Sequence, residues 1–183
     1  MIISLTGFMG CGKSSVGRRL SQLLCCPFMD LDTEIEARAG CTVAEIFARD
    51  GEAEFRRIEQ DTLSDIIGQI HPGTDRSVLA LGGGAVMTEG SAEMVHDRTI
   101  CIYLKASVDT LMEHLTGETS VRPMLKDSGS AKSDEAKTEV LRSRILELMS
   151  LRAETYEHTA HHVIDTDGKT VDEIAQEIID LKL

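Results

Sequence analysis

The segment of this chain that most limits its possible folds is Gly7–Ser14, which reads Gly-Phe-Met-Gly-Cys-Gly-Lys-Ser. It matches GxxxxGKS, the pattern of a phosphate-binding loop that lies between a strand and a helix. Both flanks agree with that context. The apolar run Ile2–Thr6 has the length of a buried strand, and Val16, Leu20 and Leu24 recur at helical spacing. The segment therefore predicts a nucleotide-binding protein of the α/β class.

The loop also supplies the chemistry that a bound triphosphate requires. Glycines let the backbone approach the phosphates, and backbone N–H groups point inward at the positive end of the following helix. Lys13 can reach the β- and γ-phosphates, and the hydroxyl of Ser14 is suited to Mg²⁺. The residues predicted to bind ATP are Gly10, Cys11, Gly12, Lys13, Ser14 and Ser15.

Cys11 stands in the loop at a position where the chemistry requires no thiol. If its side chain faces Lys13 and the helix dipole, a thiolate is stabilised and Cys11 reacts faster than Cys101 with alkylating agents. If the side chain points into packed structure, it is inert. The motif fixes the backbone path but not the direction of this side chain, so the sequence leaves both outcomes open.

The net charge and the composition argue against several classes of binding partner and cellular location. The 183 residues carry a formal net charge of −12, which argues against nucleic acid or an anionic membrane surface. No apolar stretch approaches the ~20 residues of a membrane span, and the first strand leaves no room for a signal peptide. Five cysteines without a CxxC pair are typical of free thiols in a reducing compartment. We therefore expect a cytoplasmic protein, and we expect it to be a monomer.

Apolar runs alternate with helical patterns along the chain. The predicted strands are Ile2–Thr6, Pro27–Asp30, Val78–Leu81, Thr99–Leu104 and His162–Asp165. The predicted helices are Lys13–Cys25, Thr33–Ala39, Val43–Arg49, Glu52–Ile70, Val108–Leu115, Glu135–His158 and Val171–Leu181. This alternation predicts one α/β domain over residues 1–183, with a five-stranded parallel sheet flanked by helices. Ligands of such sheets bind beyond the carboxyl ends of the strands.

Two segments fall outside the predicted sheet framework. Residues 33–61 hold three helical patterns between the second and third strands, more than an ordinary crossover needs. Residues 116–134 are polar and rich in Ser, Gly and Lys, which is typical of a mobile segment. Because this second segment carries Arg122, it is predicted to form a lid over ATP.

Two carboxylates follow the second predicted strand. Asp30 and Asp32 are separated by one residue, and alternation along a strand would point both to the same side. Beside a triphosphate, one acid can support Mg²⁺ and the other can orient or deprotonate an acceptor hydroxyl. Alternatively, Asp32 caps the helix predicted at Thr33–Ala39, and the two roles are compatible.

Arginines and a glycine run provide further candidates, each with a plain structural alternative. Arg56 and Arg57 stand in an acidic helical pattern, where pairing with neighbouring acids is enough to explain them. Gly82–Gly84 follow a predicted strand, as expected where a ligand approaches the backbone, and a tight turn is the alternative. Arg122 and Arg152 add two cations for which ordinary surface charge is the alternative.

Taken together, these residues resemble the shikimate kinase family. The matching stretches are Gly7–Ser14, Asp30–Asp32 with Ile35-Glu36, Ile46-Phe47, Gly51-Glu52, Phe55–Glu59, Leu81–Ala85, Val121–Pro123, and Leu151-Arg152 with Tyr156. The resemblance implies a P-loop kinase fold with a mobile lid and with residues 33–61 as a substrate-binding insertion. It also implies a reaction: ATP phosphorylates the 3-hydroxyl of shikimate with Mg²⁺, a step toward chorismate and the aromatic amino acids.

The resemblance further implies roles on the substrate side of the site. Asp32 would bind the substrate hydroxyls and is the candidate base. Arg56 and Arg152 would hold the shikimate carboxylate, because a guanidinium fork matches a planar carboxylate. Gly83 would offer its backbone N–H to the substrate.

On the nucleotide side, the resemblance implies that Arg122 reaches ATP and the transferring phosphoryl group. Asp30 would support Mg²⁺ together with Ser14. The predicted catalytic residues are therefore Asp32, Lys13 and Arg122. The chain departs from the family pattern at Leu115, because the family often places an arginine there, near the adenine.

Two other functions remain possible from the sequence. Another small-molecule kinase with the same loop, such as a gluconate kinase, would share the ATP half of the site. A nucleotide-binding switch would usually carry a guanine-reading Asn-Lys-x-Asp element, and the sequence contains none. Substrate-dependent consumption of ATP separates a kinase from a switch.

Overall fold

Five parallel strands form the centre of the molecule. The computed structural model describes residues 1–69, 76–117 and 134–183. Its strands are β1 (Ile2–Thr6), β2 (Phe28–Asp30), β3 (Ser77–Ala80), β4 (Ile100–Lys105) and β5 (His162–Asp165), in the spatial order β2-β3-β1-β4-β5. All pairings are parallel, so the predicted five-stranded parallel sheet is confirmed. The chain leaves β1 toward β2 on one side and later returns to β4 on the other, and such a reversal opens a crevice beyond the strand ends.

Helices cover both faces of this sheet. Within the described residues they are α1 (Lys13–Leu23), α2 (Leu31–Ala39), α3 (Val43–Gln69), α4 (Glu89–Arg98), α5 (Val108–Gly117), α6 (Asp134–Thr159) and α7 (Val171–Asp180). None of these helices combines the length and the apolar character needed to cross a bilayer.

The three central strands β1, β3 and β4 are buried on both faces, so their apolar residues divide between two cores. One core joins alternate β1 residues to the helices at the two chain ends: Ile3, Leu5, Val16, Leu20, Ile174 and Ile178. The other joins strand residues to α2 and α3: Ile2, Leu79, Tyr103, Leu31, Ile35, Leu63 and Ile67. Alternation along each strand thus fixes the sheet between two helical layers, and its carboxyl edge is left to carry the site.

The sequence pattern missed α4 (Glu89–Arg98). This helix offers the second core one fully buried residue, Val95, together with the partly buried Ala92 and Met94. Such a small apolar face gives little helical periodicity, so the sequence pattern predicts no helix in this segment.

A break inside α3 separates its two predicted halves. Gly51 has φ 82° and ψ 175°, a left-handed conformation that glycine tolerates at low cost. No atom lies within 4 Å of a Cβ built at this position, so the backbone conformation and not space requires glycine here. The break explains why the sequence shows separate helical patterns at Val43–Arg49 and Glu52–Ile70.

Candidate active site

One cleft beyond the carboxyl ends of β1, β2 and β3 collects most of the predicted site residues. It has a volume of about 530 Å³, and its lining includes Gly10, Gly12, Lys13, Ser14, Ser15, Asp30, Asp32 and Gly83. The parallel topology brings these segments together, because each follows a strand that ends at the same edge.

Lys13 folds back onto its own loop. Its Nζ donates to the carbonyls of Gly7 at 2.9 Å and Phe8 at 2.8 Å, and the residue is 9% exposed. Behind it, α1 begins after Gly12 with no side-chain cap and no acidic residue in its first turn. Because no side chain caps them, the N–H groups of that turn retain the positive electrostatic potential of a helix N-terminus. Free N–H groups with this potential are what binds phosphate at the start of a helix.

Ser14 and Asp30 bring two oxygen ligands together at the edge of the loop. The Ser14 hydroxyl donates to Asp30 Oδ2 at 2.5 Å. The other carboxylate oxygen, Oδ1, accepts from the backbone N–H groups of Asp32 at 3.1 Å and Thr33 at 3.5 Å, so Asp30 is the cap of α2. This cap fixes the carboxylate with one oxygen toward the loop.

Asp32 lines the cleft from a helix and not from the strand to which the sequence pattern assigned it. β2 ends at Asp30 and α2 begins at Leu31, so Asp32 lies in the first turn of a helix and the argument from strand alternation is wrong. The expectation that Asp32 caps this helix is also wrong, because Asp30 does so. The Asp32 carboxylate nevertheless lines the cleft, and its Oδ1 lies 2.9 Å from a Cβ built at Gly82.

Arg56 is held by two acids of its own helix. Its Nη1 donates to Glu59 at 2.6 Å and its Nη2 to Glu52 at 3.4 Å. The pairing expected for both arginines is present, but the Arg57 side chain is 61% exposed whereas that of Arg56 is 18% exposed. Only Arg56 packs on the glycine run: a Cβ built at Gly84 would lie 2.5 Å from its Nη1.

The absence of side chains at Gly82–Gly84 lets functional groups pack closely against this backbone. A Cβ at Gly82 would lie 2.7 Å from Glu59 Oε1 and 2.9 Å from Asp32 Oδ1. At Gly83 it would lie 3.2 Å from the backbone nitrogen of Met9 in the phosphate-binding loop. A larger residue would therefore push the acids, the arginine or the loop out of place.

Arg152 and Tyr156, both on α6, hold the carbonyl of Gly83. Arg152 Nη1 donates to this oxygen at 3.3 Å, and the Tyr156 hydroxyl donates to the same oxygen. Arg152 is 6% exposed, so it is not ordinary surface charge. Burial raises the pKa of Tyr156 well above its usual value, and the hydroxyl therefore remains a donor.

Glu59 belongs to this group, although the sequence interpretation considered it only as an acid that pairs with the arginines of its helix. It is 3% exposed, and burial raises the pKa of its carboxyl, with the nearby Asp32 acting in the same direction and Arg56 opposing. Its position three residues after Arg56, inside the family-matching stretch Phe55–Glu59, was the signal that could have identified it.

Removal of the Glu59 side chain is expected to release Arg56. In Glu59→Ala the guanidinium loses its 2.6 Å partner, so the KM for a carboxylate substrate should rise about tenfold while the KM for ATP stays unchanged. Glu59→Gln keeps an acceptor oxygen and should lose less. Glu54→Ala, which removes one of the two acidic partners of the exposed Arg57, is the control. Equal effects on both substrates would contradict this role.

The stability of Glu59→Gln relative to wild type should depend on pH. The raised folded-state pKa means that the folded chain retains the Glu59 proton over a wider range than the unfolded chain. That stabilisation is fully present at low pH and is lost as pH rises through the folded-state pKa. The melting temperature of Glu59→Gln minus that of wild type should therefore increase from pH 4.5 to pH 7.5 in thermal melts. A decrease would mean that pairing with Arg56 outweighs burial.

The structure combines features of both outcomes considered for Cys11. Its side chain is 2% exposed and belongs to the core on the α1 side of the sheet, yet Lys13 Nζ donates to its Sγ at 3.9 Å. The thiol thus faces Lys13 but is shielded from reagents, and its reactivity stays a prediction. Cys101 is also buried, and burial raises its pKa to about 12, whereas Cys25 is exposed.

Alkylation is expected to label Cys25 first. Cys11 and Cys101 should react slowly because neither thiol meets the reagent, and burial of Cys101 also disfavours its thiolate. Activity should survive labelling of Cys25, and Mg-ATP should not change the labelling order. Mass-spectrometric mapping at successive times provides the measurement. Rapid label at Cys11 that Mg-ATP blocks would contradict the buried orientation.

Arg122 and nearly all of the predicted lid, residues 116–134, lie outside the described residues. The described part of the site therefore comprises the phosphate-binding loop, the two acids at the junction of β2 and α2, and the group around the glycine run.

Comparison with known proteins places this arrangement in a family. The sequence model of the shikimate kinase family matches residues 9–182. The chain belongs to the shikimate kinase family. A shikimate kinase of Salinibacter ruber is 38% identical over 183 residues, with 99% of this chain and 84% of that protein covered. The family resemblance that the sequence motifs indicated is confirmed.

A solved shikimate kinase structure agrees with this assignment. The shikimate kinase from Acinetobacter baumannii in complex with shikimate has a TM-score of 0.83 and 31% identity, covering 99% of this chain and 92% of that one. A gluconokinase from Sinorhizobium meliloti has a TM-score of 0.54 and 15% identity, covering 97% and 89%, and this likeness shows the fold alone. The predicted P-loop kinase fold is confirmed, and the shikimate kinase prediction is better supported than the gluconate alternative.

Proposed function

We propose that this protein transfers the γ-phosphoryl group of ATP to the 3-hydroxyl of shikimate, giving shikimate 3-phosphate and ADP. The observation that carries the proposal is the convergence of Arg56, Arg152 and Asp32 on the glycine run beside the phosphate-binding loop. Shikimate carries a planar carboxylate and hydroxyl groups on one small ring. Two guanidinium groups suit the carboxylate, and Asp32 is placed for the hydroxyl groups.

Phosphoryl transfer requires mainly positioning and neutralisation of charge. On the acceptor side, Asp32 orients the hydroxyl or accepts its proton, while Arg56 and Arg152 hold the ring through its carboxylate. Gly83, whose carbonyl is fixed by Arg152 and Tyr156, presents its N–H to the substrate. On the nucleotide side, Lys13 and the N–H groups at the start of α1 face the phosphates.

The residues beside the loop fit Mg²⁺ as the cofactor. Ser14 and Asp30 present hard oxygen ligands 2.5 Å apart, and Mg²⁺ is usually bound by one or two such protein groups plus phosphates and water. Ser14 and Asp30 would hold the ion there, and it would supply neutralisation of phosphate charge. The cap contacts that fix Asp30 would hold its carboxylate ready for the ion.

Four further parts of the sequence interpretation stay predictions. They are the contribution of residues 33–61 to substrate binding, the lid at residues 116–134 with Arg122, the assignment of residues 1–183 to one kinase domain, and the monomeric state. The cysteines Cys11, Cys25, Cys26, Cys41 and Cys101 are all free thiols, which supports the proposal that the protein works in the reducing cytoplasm. Size-exclusion chromatography tests the monomer.

A coupled assay of ADP release tests the proposed reaction. ADP formation should require Mg²⁺ and should start on addition of shikimate but not of gluconate. Phosphorylation of gluconate without phosphorylation of shikimate would move the chain to the gluconate alternative. ATP hydrolysis that no acceptor stimulates would favour a nucleotide switch.

A further inference from the structure

The last turn of α5 contacts the phosphate-binding loop directly. The Nδ1–H of His114 donates to the carbonyl of Gly10 at 2.7 Å. Beside it, the Cγ of Leu115 lies 3.0 Å from a Cβ built at Gly10. Helix α5, which is distant from the loop in sequence, thus supports the loop at Gly10. Leu115, at a position where the family often has an arginine, packs against the same glycine.

Gly10 is a position where the loop benefits from such support. Its φ of 82° lies in the left-handed region, and glycine exchanges readily between backbone conformations. The peptide between Gly10 and Cys11 is held at both ends, because the Cys11 N–H donates to the Phe8 carbonyl at 3.2 Å and the Gly10 carbonyl accepts from His114. Ordering this peptide before a nucleotide arrives removes an entropic cost from binding.

The helix that carries His114 is firmly anchored. Leu111 and Met112 are buried in the core on the α1 side of the sheet. At the other end of α5, Asp109 accepts from Arg142 of α6 at 2.7 Å. His114 is therefore presented by a rigid element, as positioning of a glycine-rich loop requires.

His114 also borders the cleft. Together with Glu113 and Val171 it lines the same cavity as the loop. Two uses of its ring are consistent with this place: the Nδ1–H can act through the Gly10 carbonyl, or the face of the ring can contact the nucleotide. The 2.7 Å hydrogen bond favours the first use, because it fixes the ring by its Nδ1 edge.

We propose that His114 is a positioning residue for the nucleotide, acting through its Nδ1–H on the Gly10 carbonyl to keep the phosphate-binding loop in its binding conformation. The inference rests on the proposed function only in that the loop binds the phosphates of ATP. It assigns His114 no contact with shikimate.

Three variants at one position separate the possible roles. His114→Ala removes the donor and the ring. His114→Asn places an amide nitrogen where Nδ1 stood and so keeps the donor without the ring. His114→Phe keeps a ring without a donor. His158→Ala, at an exposed histidine in the last turn of α6, is the matched control.

The dissociation constant of Mg-ADP is measured by calorimetry without shikimate, and KM values for ATP and shikimate are measured by coupled assay. One lost hydrogen bond should weaken Mg-ADP binding about three- to tenfold in His114→Ala and His114→Phe, with the same rise in the KM for ATP. The KM for shikimate should stay within about twofold of wild type. His114→Asn should recover most of the nucleotide affinity, and His158→Ala should match wild type.

Other outcomes would overturn the proposal. Recovery by Phe but not by Asn would assign the ring a direct contact with the nucleotide. Unchanged Mg-ADP affinity in His114→Ala, or equal losses for ATP and shikimate with a lowered melting temperature, would leave no positioning role. Because Mg-ADP binding is measured without an acceptor, failure of shikimate phosphorylation would not affect this test.

Discussion

Replacement of Asp32 by Asn is expected to lower kcat by about a hundredfold or more while leaving the affinity for Mg-ATP nearly unchanged. General-base catalysis contributes roughly 10²–10⁴-fold to a rate, and an amide keeps the shape of the carboxylate without its basicity or charge. Asp32 is placed for this role, because it lines the cleft with the phosphate-binding loop and its Oδ1 lies close to Gly82. The KM for shikimate should rise less than kcat falls.

Glu34→Gln provides the matched control for this experiment. Both acids lie in the first turn of α2, so each substitution removes one negative charge from the same helix end. Loss of activity in Asp32→Asn but not in Glu34→Gln would assign the effect to the cleft and not to helix stability. If Asp32→Asn keeps turnover within a few-fold of wild type, Asp32 orients the substrate and the role of base is wrong.

The sequence predicted those parts of the fold that have a strong local signal. β1 and β5 begin and end where the pattern placed them. For β1 the signal was a short apolar run before a glycine loop, which marks a buried strand. The prediction failed where a segment's structure depends on few local residues. Helix α4 buries mainly Val95, and Asp32 was assigned to an extended segment although α2 begins one residue before it.

The site residues also divide into those that a local sequence pattern identifies and those that only the fold brings together. Lys13, Ser14 and Asp30 stand in motifs whose spacing carries their chemistry, and the structure brings them together. His114 could not be assigned in this way, because it reaches the Gly10 carbonyl across 104 positions of the chain and no local pattern contains that distance. Glu59 is an intermediate case. Its pairing with Arg56 follows from helical spacing, whereas its approach to a Cβ position at Gly82 depends on the fold.

Replacement of Arg56 by Lys is expected to weaken shikimate binding selectively. The guanidinium can keep its bonds to Glu59 and Glu52 and still present further N–H groups to a carboxylate, since it carries five donors in a rigid fork. A lysine ammonium has three donors at one point and cannot reproduce a bidentate contact. A hydrogen bond to a charged group contributes about 1.5–3 kcal/mol, so the KM for shikimate should rise about tenfold or more.

Arg57→Lys is the control for this substitution, because Arg57 makes the same kind of pairs with acids of α3 but is exposed. It should leave both KM values unchanged. In Arg56→Lys, Mg-ATP binding measured without shikimate should match wild type, since the arginine packs on the glycine run and not on the phosphate-binding loop. Comparable weakening of both ligands would indicate a general disturbance of the cleft, and no weakening of either would remove Arg56 from the carboxylate site. A selective loss for shikimate, absent in Arg57→Lys, would establish that burial against Gly84 distinguishes a substrate-binding arginine from its surface neighbour.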